Sequence, residues 1–395
     1  MTIRVAVIEP VSSGLALVDR AHALGWQAVV VGAGQPVDVD PNDEAALADA
    51  LRAEHRRAPL AGILAGCEYY VPAAARIAAA LGLPGTDPAT VDRARDKALM
   101  RAAVAAAGLA GPGYLELQDV RELDLGCARI GFPAVVKPVD SCGSMGVRKV
   151  ADPAQARAAV AAIHAETRLD LGVPLGRRVI IERYIQGPEF SADGYVLDGE
   201  TVVVAVTRKL LGPEPYFVEL GHLTPADLPA AVRARIGEYA RAVVAAVGIT
   251  RGPFHCELRL AGDEPVLMEI AARLPGDRIV DLLAATEGVD LPTVALAAAT
   301  GGDPAELGAF RVPRARAAGI RFLTAAGAAF TGLDGFDDLE GEPWTAETEV
   351  FLPSGAPVSD PGDFRSRVAA VRFEADSPAH ALQRWHEVGD RVRVR

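Results

Sequence analysis

The chain has 395 residues, half of them hydrophobic and 23% charged. An ordinary domain has roughly 100 to 200 residues, so we expect two or three domains, and this apolar content excludes a disordered chain. The 40 Lys and Arg residues against 52 Asp and Glu give a net charge of −12. Because such a field repels phosphate backbones, no nucleic-acid partner is expected.

Four cysteines are present at positions without C-x-x-C spacing, namely Cys67, Cys127, Cys142 and Cys256. This pattern predicts neither a zinc site nor a disulfide framework, and it fits a reducing cytoplasm. The N-terminus shows no signal-peptide pattern, and no segment approaches the roughly 18 to 20 apolar residues of a membrane helix. We therefore expect a soluble, cytoplasmic protein with no membrane partner.

The first ninety residues alternate strand-like and helical patterns, which predicts a small parallel α/β domain. The predicted elements are strands over 4–8, 28–31 and 61–65 and helices over 15–24 and 71–81. The first βα turn, Ser12-Ser13-Gly14, could bind an anion at the helix N-terminus. It lacks the glycine spacing of a dinucleotide fingerprint, so a tight turn is the favoured interpretation.

After a predicted helix over 89–107, the sequence becomes rich in strand patterns from residue 134. The predicted elements are strands over 134–137, 147–150, 179–181, 190–206, 254–260 and 266–271 and a helix over 153–166. Beyond residue 271 the Ala/Gly-rich chain is predicted to alternate short strands and turns as far as residue 395.

The strands over 254–260 and 266–271 are predicted to form a hairpin centred on Asp263. Antiparallel partners lie at equal distances from the turn centre, so Glu257 and Glu269 should face each other. Facing carboxylates repel, and a divalent cation between them removes that penalty, since Mg²⁺ prefers carboxylate and phosphate oxygens. A metal site is therefore favoured over the alternative, a solvated face with the register slipped by one residue.

A lysine and a loop of small residues accompany the strand over 134–137. Lys137 is one of four lysines in the chain, and Asp140 to Gly146 follow it. Backbone amides of such a loop can wrap phosphate oxygens, although many hairpins carry glycines for turn geometry alone. The loop lacks the Gly-Lys-Ser/Thr of a Walker A motif, and we interpret it as a different kind of phosphate site.

Five motifs follow one another in an order that resembles the ATP-grasp superfamily. They include Asp96-Lys97, Val-Val-Lys137-Pro and the Gly-Pro-Glu189 string. The resemblance implies the following ATP-binding residues: Lys97 and Lys137 on phosphates, Gly143, Ser144, Met145 and Gly146 in a lid loop, Glu182, Tyr184 and Ile185 at the adenine hinge, and Glu189 on the ribose. It also implies Mg²⁺ held by Glu257 and Glu269, with Mn²⁺ as an alternative cation.

One position departs from the superfamily pattern. The second metal motif is usually Glu-x-Asn-x-Arg, whereas this chain has Glu269-Ile-Ala271-Ala-Arg273, so the asparagine ligand is missing. In the predicted register His255 lies opposite Ala271, where an imidazole or a water could fill the space, with a packed histidine favoured. The same Glu-x-Ala-Ala-Arg form resembles ATP-grasp amino-acid ligases that make dipeptides.

Two further residues are candidate catalytic groups. Arg273 could present its fork to a phosphate or a carboxylate, the alternative being an ion pair with Asp277 or Asp281. His222 is predicted to lie in a Gly-His-Leu-Thr-Pro loop, which favours a site residue over a core histidine. A loop hydrogen bond is nearly as well supported for His222.

The resemblance implies an α/β protein of ATP-grasp fold, with an α+β lid and an N-terminal parallel α/β domain. The expected boundaries are 1–129 for the N-terminal domain, 130–190 for the lid and 191–395 for a C-terminal domain with a small subdomain. The expected function is a carboxylate–amine ligase that makes an amide or dipeptide bond through an acyl phosphate, releasing ADP and phosphate. The expected partners are a small carboxylate and an amine, amino acids foremost, and a homodimer is compatible with the sequence. The alternatives are a biotin-carboxylase-like or formate-dependent ATP-grasp enzyme, or a nucleotide-binding scaffold without catalysis.

Overall fold

A computed structural model describes residues 2–117, 120–167, 169–174, 176–325, 327–358 and 362–395. Three large sheets follow one another along the chain, and each is covered by its own helices. Among the described residues, no helix combines the length and the apolar content needed to cross a bilayer.

The first sheet is parallel, with strands in the order β3-β2-β1-β4. Its elements are β1 Arg4–Ile8, α1 Ser13–Ala23, β2 Gln27–Gly32, β3 Val37–Asp38, α2 Glu44–Arg57, β4 Gly62–Ala65 and α3 Val71–Ala80. All five residues of β1 are buried, as a strand covered by helices on both faces requires. This confirms the predicted parallel α/β domain. Sequence reasoning missed α2, although Asp43 caps it by accepting a bond from the Ala46 amide.

The helix predicted over 89–107 begins later than expected. A 3₁₀ turn spans Val91–Ala94, and the helix α4 covers Lys97–Ala106. Asp96 sets the start, since its carboxylate accepts hydrogen bonds from the amides of Ala98 and Leu99, both at 2.9 Å.

The second sheet is antiparallel, in the order β5-β10-β6-β7, with helices packed on one face. Its elements and the short pair of strands beside it are β5 Tyr114–Leu117, α5 Leu123–Ile130, β6 Ala134–Pro138, β7 Arg148–Val150, α6 Pro153–Ala165, β8 Leu169–Asp170, β9 Val173–Pro174 and β10 Val179–Arg183. β5 lies before residue 130, so the sheet begins earlier than the predicted lid; the domain boundaries themselves remain predictions.

The third sheet has eight antiparallel strands in the order β15-β14-β11-β12-β13-β16-β19-β18. Its strands are β11 Glu189–Leu197, β12 Glu200–Leu211, β13 Glu219–Thr224, β14 Gly252–Ala261, β15 Glu264–Ala271, β16 Ala317–Thr324, β18 Thr345–Val350 and β19 Arg367–Ala375. A small separate pair consists of β17 Leu333–Asp334 and β20 Arg393–Val394. The helices of this region are α7 Ala230–Val247, α8 Ile279–Thr286, α9 Leu291–Thr300 and α10 Pro378–Arg391.

Two expectations for this region were wrong. The run over 190–206 is a hairpin of two strands, because the turn at Asp198 and Gly199, both with positive φ, reverses the chain. The described part of the chain beyond residue 271 contains three helices as well as long strands, since its alanines pack as helical faces. The helix α9, for example, is buried along almost its whole length against the first domain.

Candidate active site

Two lysines predicted to contact phosphates are buried at the junction of the second and third sheets. Lys97, the first residue of α4, is 2% exposed, and its Nζ donates to the Ser141 carbonyl at 2.6 Å and to Glu269 Oε1 at 2.9 Å. Lys137 lies on β6, with its Nζ 2.8 Å from Glu182 Oε2. Burial lowers the pKa of Lys137 although Glu182 acts to raise it.

Glu182 is shared by two cations. Arg101 Nε donates to Glu182 Oε1 at 2.7 Å, and Lys137 holds the other carboxylate oxygen. Burial alone would raise the pKa of Glu182, but Arg101 and Lys137 outweigh it and hold that pKa at about 2. The carboxylate of this predicted hinge residue is therefore engaged in positioning Lys137. The sequence analysis did not single out Arg101. It could have done so, because Arg101 follows Lys97 by four residues and therefore lies on the same face of the helix.

The hairpin of β14 and β15 has the predicted pairing, with Glu257 opposite Glu269 and His255 opposite Ala271. Near the turn Ala261 pairs with Glu264, so the hairpin there is centred half a residue before Asp263. A bulge between Glu257 and Leu258 then shifts the register by one residue, and the predicted pairing of Glu257 with Glu269 results. The pairing was thus right, and the bulge, which the sequence did not indicate, restores it.

His255 is part of a buried chain of polar groups. Its Nδ1 bonds to Asp193 Oδ1, and its Nε2 lies 2.9 Å from Glu257 Oε1. Ser191 donates to the other oxygen of Asp193 at 2.7 Å. Burial lowers the pKa of His255, but the two carboxylates outweigh it and raise that pKa to about 9.

Lys209, a residue to which the sequence assigned no role, lies among three carboxylates. Its Nζ contacts Glu219, lies 2.6 Å from Glu257 Oε1 and lies 3.4 Å from Glu189 Oε1, and the side chain is 1% exposed. Burial lowers its pKa, but the three carboxylates raise it well above the ordinary value. Burial would raise the pKa of Glu257, but Lys209 and His255 outweigh it and hold that pKa well below its usual range.

This oxygen-rich cluster fits a hard divalent cation. Carboxylate oxygens of Glu189, Glu219 and Glu257 lie within 4.8 Å of one another, and Mg²⁺ is commonly held by one or two carboxylates together with substrate phosphates. The predicted ligand Glu269 belongs to neither of the three-residue groups found among the described residues, and Lys97 neutralises it. The metal roles of Glu257 and Glu269 remain predictions.

The predicted hinge region is held by Arg259. Its Nε donates to Glu189 Oε2 and its Nη1 to the Ile185 carbonyl, both at 2.9 Å. The guanidinium also lies 5.2 Å from the Tyr184 ring and 5.0 Å from the Phe217 ring. Arg259 thus holds the segment between Ile185 and Glu189 in place. The sequence analysis did not predict this role for Arg259.

The loop from Gly143 to Gly146 lies against the C-terminal region. Ser144 Oγ donates to the Phe217 carbonyl at 3.0 Å. Gly143 has φ +60, and a Cβ at that position would lie 2.5 Å from the Phe364 ring. A glycine is required there because both the backbone conformation and this contact exclude a side chain.

His222 and Arg273 differ from expectation in their surroundings. His222 lies on strand β13 and is 1% exposed, so the predicted loop position was wrong; its Nε2 donates to Asp277 Oδ2 at 2.9 Å. Arg273 pairs with neither Asp277 nor Asp281 among the described ion pairs. It contacts Glu68 of the first domain, which raises the Arg273 pKa against the effect of burial.

Twelve of the fourteen predicted site residues line one cavity of about 190 Å³. They are Lys97, Lys137, Gly143, Ser144, Glu182, Tyr184, Ile185, Glu189, His222, Glu257, Glu269 and Arg273. Met145 and Gly146 lie on the other side of the loop, against a smaller cavity of about 90 Å³. The structure therefore assembles one site from residues spread over nearly 180 positions.

Two families match the chain, the ATP-grasp domain over residues 130–281 and the ATP-grasp N-terminal domain over residues 20–85. An uncharacterized protein of Sinorhizobium fredii is 29% identical over 84% of this chain and 68% of its own length. The alanine–anticapsin ligase of Bacillus subtilis is 27% identical over 61% of this chain. The aligned part covers 54% of the length of that enzyme. The solved L-amino acid ligase of Bacillus licheniformis superposes with a TM-score of 0.84 at 23% identity, covering 100% of this chain and 98% of that one.

The fold and the two family matches define an ATP-grasp protein, and the chain belongs to the ATP-grasp superfamily. Within that superfamily its similarity is to the carboxylate–amine ligases, the subgroup that includes alanine–anticapsin ligase.

Proposed function

We propose that the protein joins a carboxylate to an amine at the expense of ATP, with ADP and phosphate as products. The observation that carries this proposal is the junction of two cavities. The first cavity, the one of about 190 Å³ lined by the predicted ATP-binding residues, adjoins a second cavity of about 440 Å³. The two cavities share Cys142, Gly143, Glu219, Arg273, Gly276 and Asp277. Residues predicted to contact phosphates, Gly143 and Arg273, thus border a separate space in which two further substrates could meet.

In the proposed first step, a substrate carboxylate oxygen attacks the γ-phosphorus of ATP. The bond from the γ-phosphorus to the bridging oxygen breaks, and ADP leaves with an acyl phosphate formed. Lys97 and Lys137 would fix the phosphates, and Arg273 at the junction would offset charge on the transferred group. A Mg²⁺ ion, held by Glu257, Glu269 and the neighbouring acids, would neutralise phosphate charge when bound.

In the second step, the amine nitrogen attacks the acyl carbon, the carbon–oxygen bond to phosphate breaks, and the amine loses a proton. Closure of the Gly143 to Gly146 loop against Phe217 and Phe364 would exclude water, which would otherwise hydrolyse the acyl phosphate. The similarity to a ligase of alanine and anticapsin supports amino acids as both substrates. Mn²⁺ in place of Mg²⁺ and a homodimer remain proposals.

The test is ADP release from Mg–ATP across pairs of amino acids, with hydroxylamine replacing the amine in a parallel series. We expect ADP and phosphate only with the correct carboxylate, and a hydroxamate when hydroxylamine is the only amine. Lys137→Ala should abolish both, with Arg157→Ala as control, since Arg157 is exposed and paired with Asp124. AMP and pyrophosphate among the products would exclude the acyl-phosphate route, release only with bicarbonate would indicate a carboxylase, and no release in any series would indicate a scaffold.

A further inference from the structure

The second cavity lies at the topological switch point of the first sheet. β1 is central there, with β2 on one side and β4 on the other, so the connections leaving β1 and β4 diverge. In parallel α/β sheets, ligands bind outside the carboxyl ends of the strands at this point. The segments directly after the two strands, Val11 to Gly14 and Gly66 to Tyr69, line the cavity.

The N-terminus of α1 lines this cavity. The first turn of the helix contains no acidic residue that would neutralise the positive end of the helix dipole. Ser12 occupies the N-cap position but makes no side-chain capping bond. A Cβ at Gly14 would lie 2.0 Å from the Gly66 carbonyl oxygen, so the glycine lets the helix begin directly beside the end of β4. The positive end of the helix dipole therefore faces the cavity.

Ser13 is the second and independent observation. It is 7% exposed and lines the cavity, and its Oγ has no hydrogen-bond partner among the described residues. Buried hydroxyl groups are normally hydrogen-bonded. A ligand that supplies an acceptor at this point would satisfy the hydroxyl.

The charged side chains on the other walls already have partners, and one of them, Asp170, accepts a hydrogen bond from the Tyr69 hydroxyl at 2.8 Å. Arg273 contacts Glu68, and Arg367 donates to Asp277 Oδ1 at 2.7 Å and to Glu219 Oε2 at 3.2 Å. The start of α1 is thus the positive feature of the described cavity walls that no acid neutralises. An anion is the chemical group that fits it.

We propose that the Ser13 hydroxyl, at the positive N-terminal end of α1, binds the carboxylate of the amine substrate. The amides of Gly14 and Leu15 already donate to backbone carbonyls of the preceding turn, at 2.8 and 3.1 Å. This inference rests on the proposed ligase function. The reacting carboxylate must lie at the junction marked by Gly143 and Arg273, whereas Ser13 and Gly14 line the second cavity and not the first. The carboxylate at α1 is therefore a different one, and the amine substrate is an amino acid.

The test compares Ser13→Asp and Ser13→Ala with the wild type in the full reaction. An aspartate in the first helical turn interacts favourably with the helix dipole, while its charge repels the substrate carboxylate. The melting temperature of each variant checks that it is folded, and Ser13→Ala adds no charge. We expect the KM for the amino-acid amine to rise about tenfold in Ser13→Ala, as for a lost hydrogen bond to a charged group, and further in Ser13→Asp. The KM for hydroxylamine, an amine without a carboxylate, should change less than twofold.

The matched control is Ser377→Asp, at the N-cap of α10, which should leave every KM unchanged. An unchanged KM for the amino-acid amine in a folded Ser13→Asp protein would overturn the proposal. So would an equal loss of the hydroxylamine reaction, since Ser13 would then serve the reacting carboxylate.

A binding series separates this inference from the ligase function. Each of the twenty amino acids and its α-amide is added to the Mg–ADP protein, and the melting temperature is recorded. If ADP release fails but an acid stabilises the wild type more than its amide, and Ser13→Asp loses that difference, the site stands and only the ligase function falls. If no acid exceeds its amide, the carboxylate site is wrong whatever the catalytic result.

Discussion

Each carboxylate of the facing pair on β14 and β15 has its own buried cation. Lys97 neutralises Glu269, while Lys209 and His255 neutralise Glu257. The repulsion expected between facing carboxylates is therefore offset within the protein itself. In the proposed reaction, a metal ion would give the carboxylates another partner, so that these cations would become available to the phosphates.

At the residue scale, Glu269→Gln should lower the stability of the ligand-free protein by about 1 to 3 kcal/mol. The substitution leaves the Lys97 ammonium buried, with the Ser141 carbonyl as its remaining partner among the described residues. Urea denaturation at pH 7 measures the effect. Glu264→Gln on the same strand, with its side chain 72% exposed, should change stability by less than about 0.5 kcal/mol. An unchanged or higher urea midpoint in Glu269→Gln would contradict the assignment.

At the scale of elements, one carboxylate ties three of them together. Glu182 on β10 binds Arg101 of α4 and Lys137 of β6. Arg101 also donates to the Met268 carbonyl of β15 at 2.6 Å. The network therefore joins the second sheet to the hairpin that carries the predicted metal ligands.

This network predicts a pH dependence of stability. The pKa of Glu182 is about 2 in the folded protein and 4.5 ordinarily, so its contribution is present above about 4.5 and lost as the pH falls towards 2. We expect the free energy of unfolding of the wild type to exceed that of Glu182→Gln by on the order of 3 kcal/mol at pH 7. The difference should shrink between pH 5 and pH 3, measured from denaturant midpoints. A difference that stays constant with pH would refute this role of Glu182. The control is Glu200→Gln, which also removes one carboxylate but at an exposed position on β12.

The lid loop yields a second prediction at this scale. Gly143→Ala should lower kcat and expose the loop to proteolysis in the presence of Mg–ATP, because the new Cβ would collide with Phe364 and prevent closure. Gly199→Ala is the control, since Gly199 also has positive φ but has no atom within 4 Å of the added Cβ. Both variants bear a backbone cost of about 1 kcal/mol, so a loss of kcat shared equally by the two would show that the Phe364 contact is irrelevant.

At the scale of the whole molecule, the first domain is attached through an apolar interface and an ion pair. Val5 and Leu17 pack in one core with Leu283 and Leu291 of the third region. Arg273, four residues after the predicted metal ligand Glu269, contacts Glu68 next to β4. The walls of the second cavity are thus fixed by contacts between regions far apart in sequence.

A double-mutant cycle on Glu68 and Arg273 should give a coupling energy of more than about 1 kcal/mol, because removing one partner leaves a buried charge. Unfolding of Glu68→Gln, Arg273→Gln and the double variant measures it. The exposed pair Arg235 and Glu264, with side chains 42% and 72% exposed, should give less than about 0.5 kcal/mol. Equal coupling in the two pairs would mean that the Glu68 contact does not hold the domains together.

The sequence by itself determined the features that depend on local pattern. Alternating apolar residues and turn positions predicted the parallel strands of the first sheet and the pairing of Glu257 with Glu269. Motif order along the chain identified the superfamily. These features follow from periodicity and turn geometry, which neighbouring residues decide.

Only the tertiary structure decided which charges meet. Arg101 reaches Glu182 across 81 positions, and Arg273 reaches Glu68 across 205. Lys209 meets three acids from strands β11, β13 and β14, and His222 lies on a strand where the sequence predicted a loop. The physical reason is that a buried charge needs an opposite one nearby, and which acid supplies it depends on the packing of the sheets and not on distance along the chain.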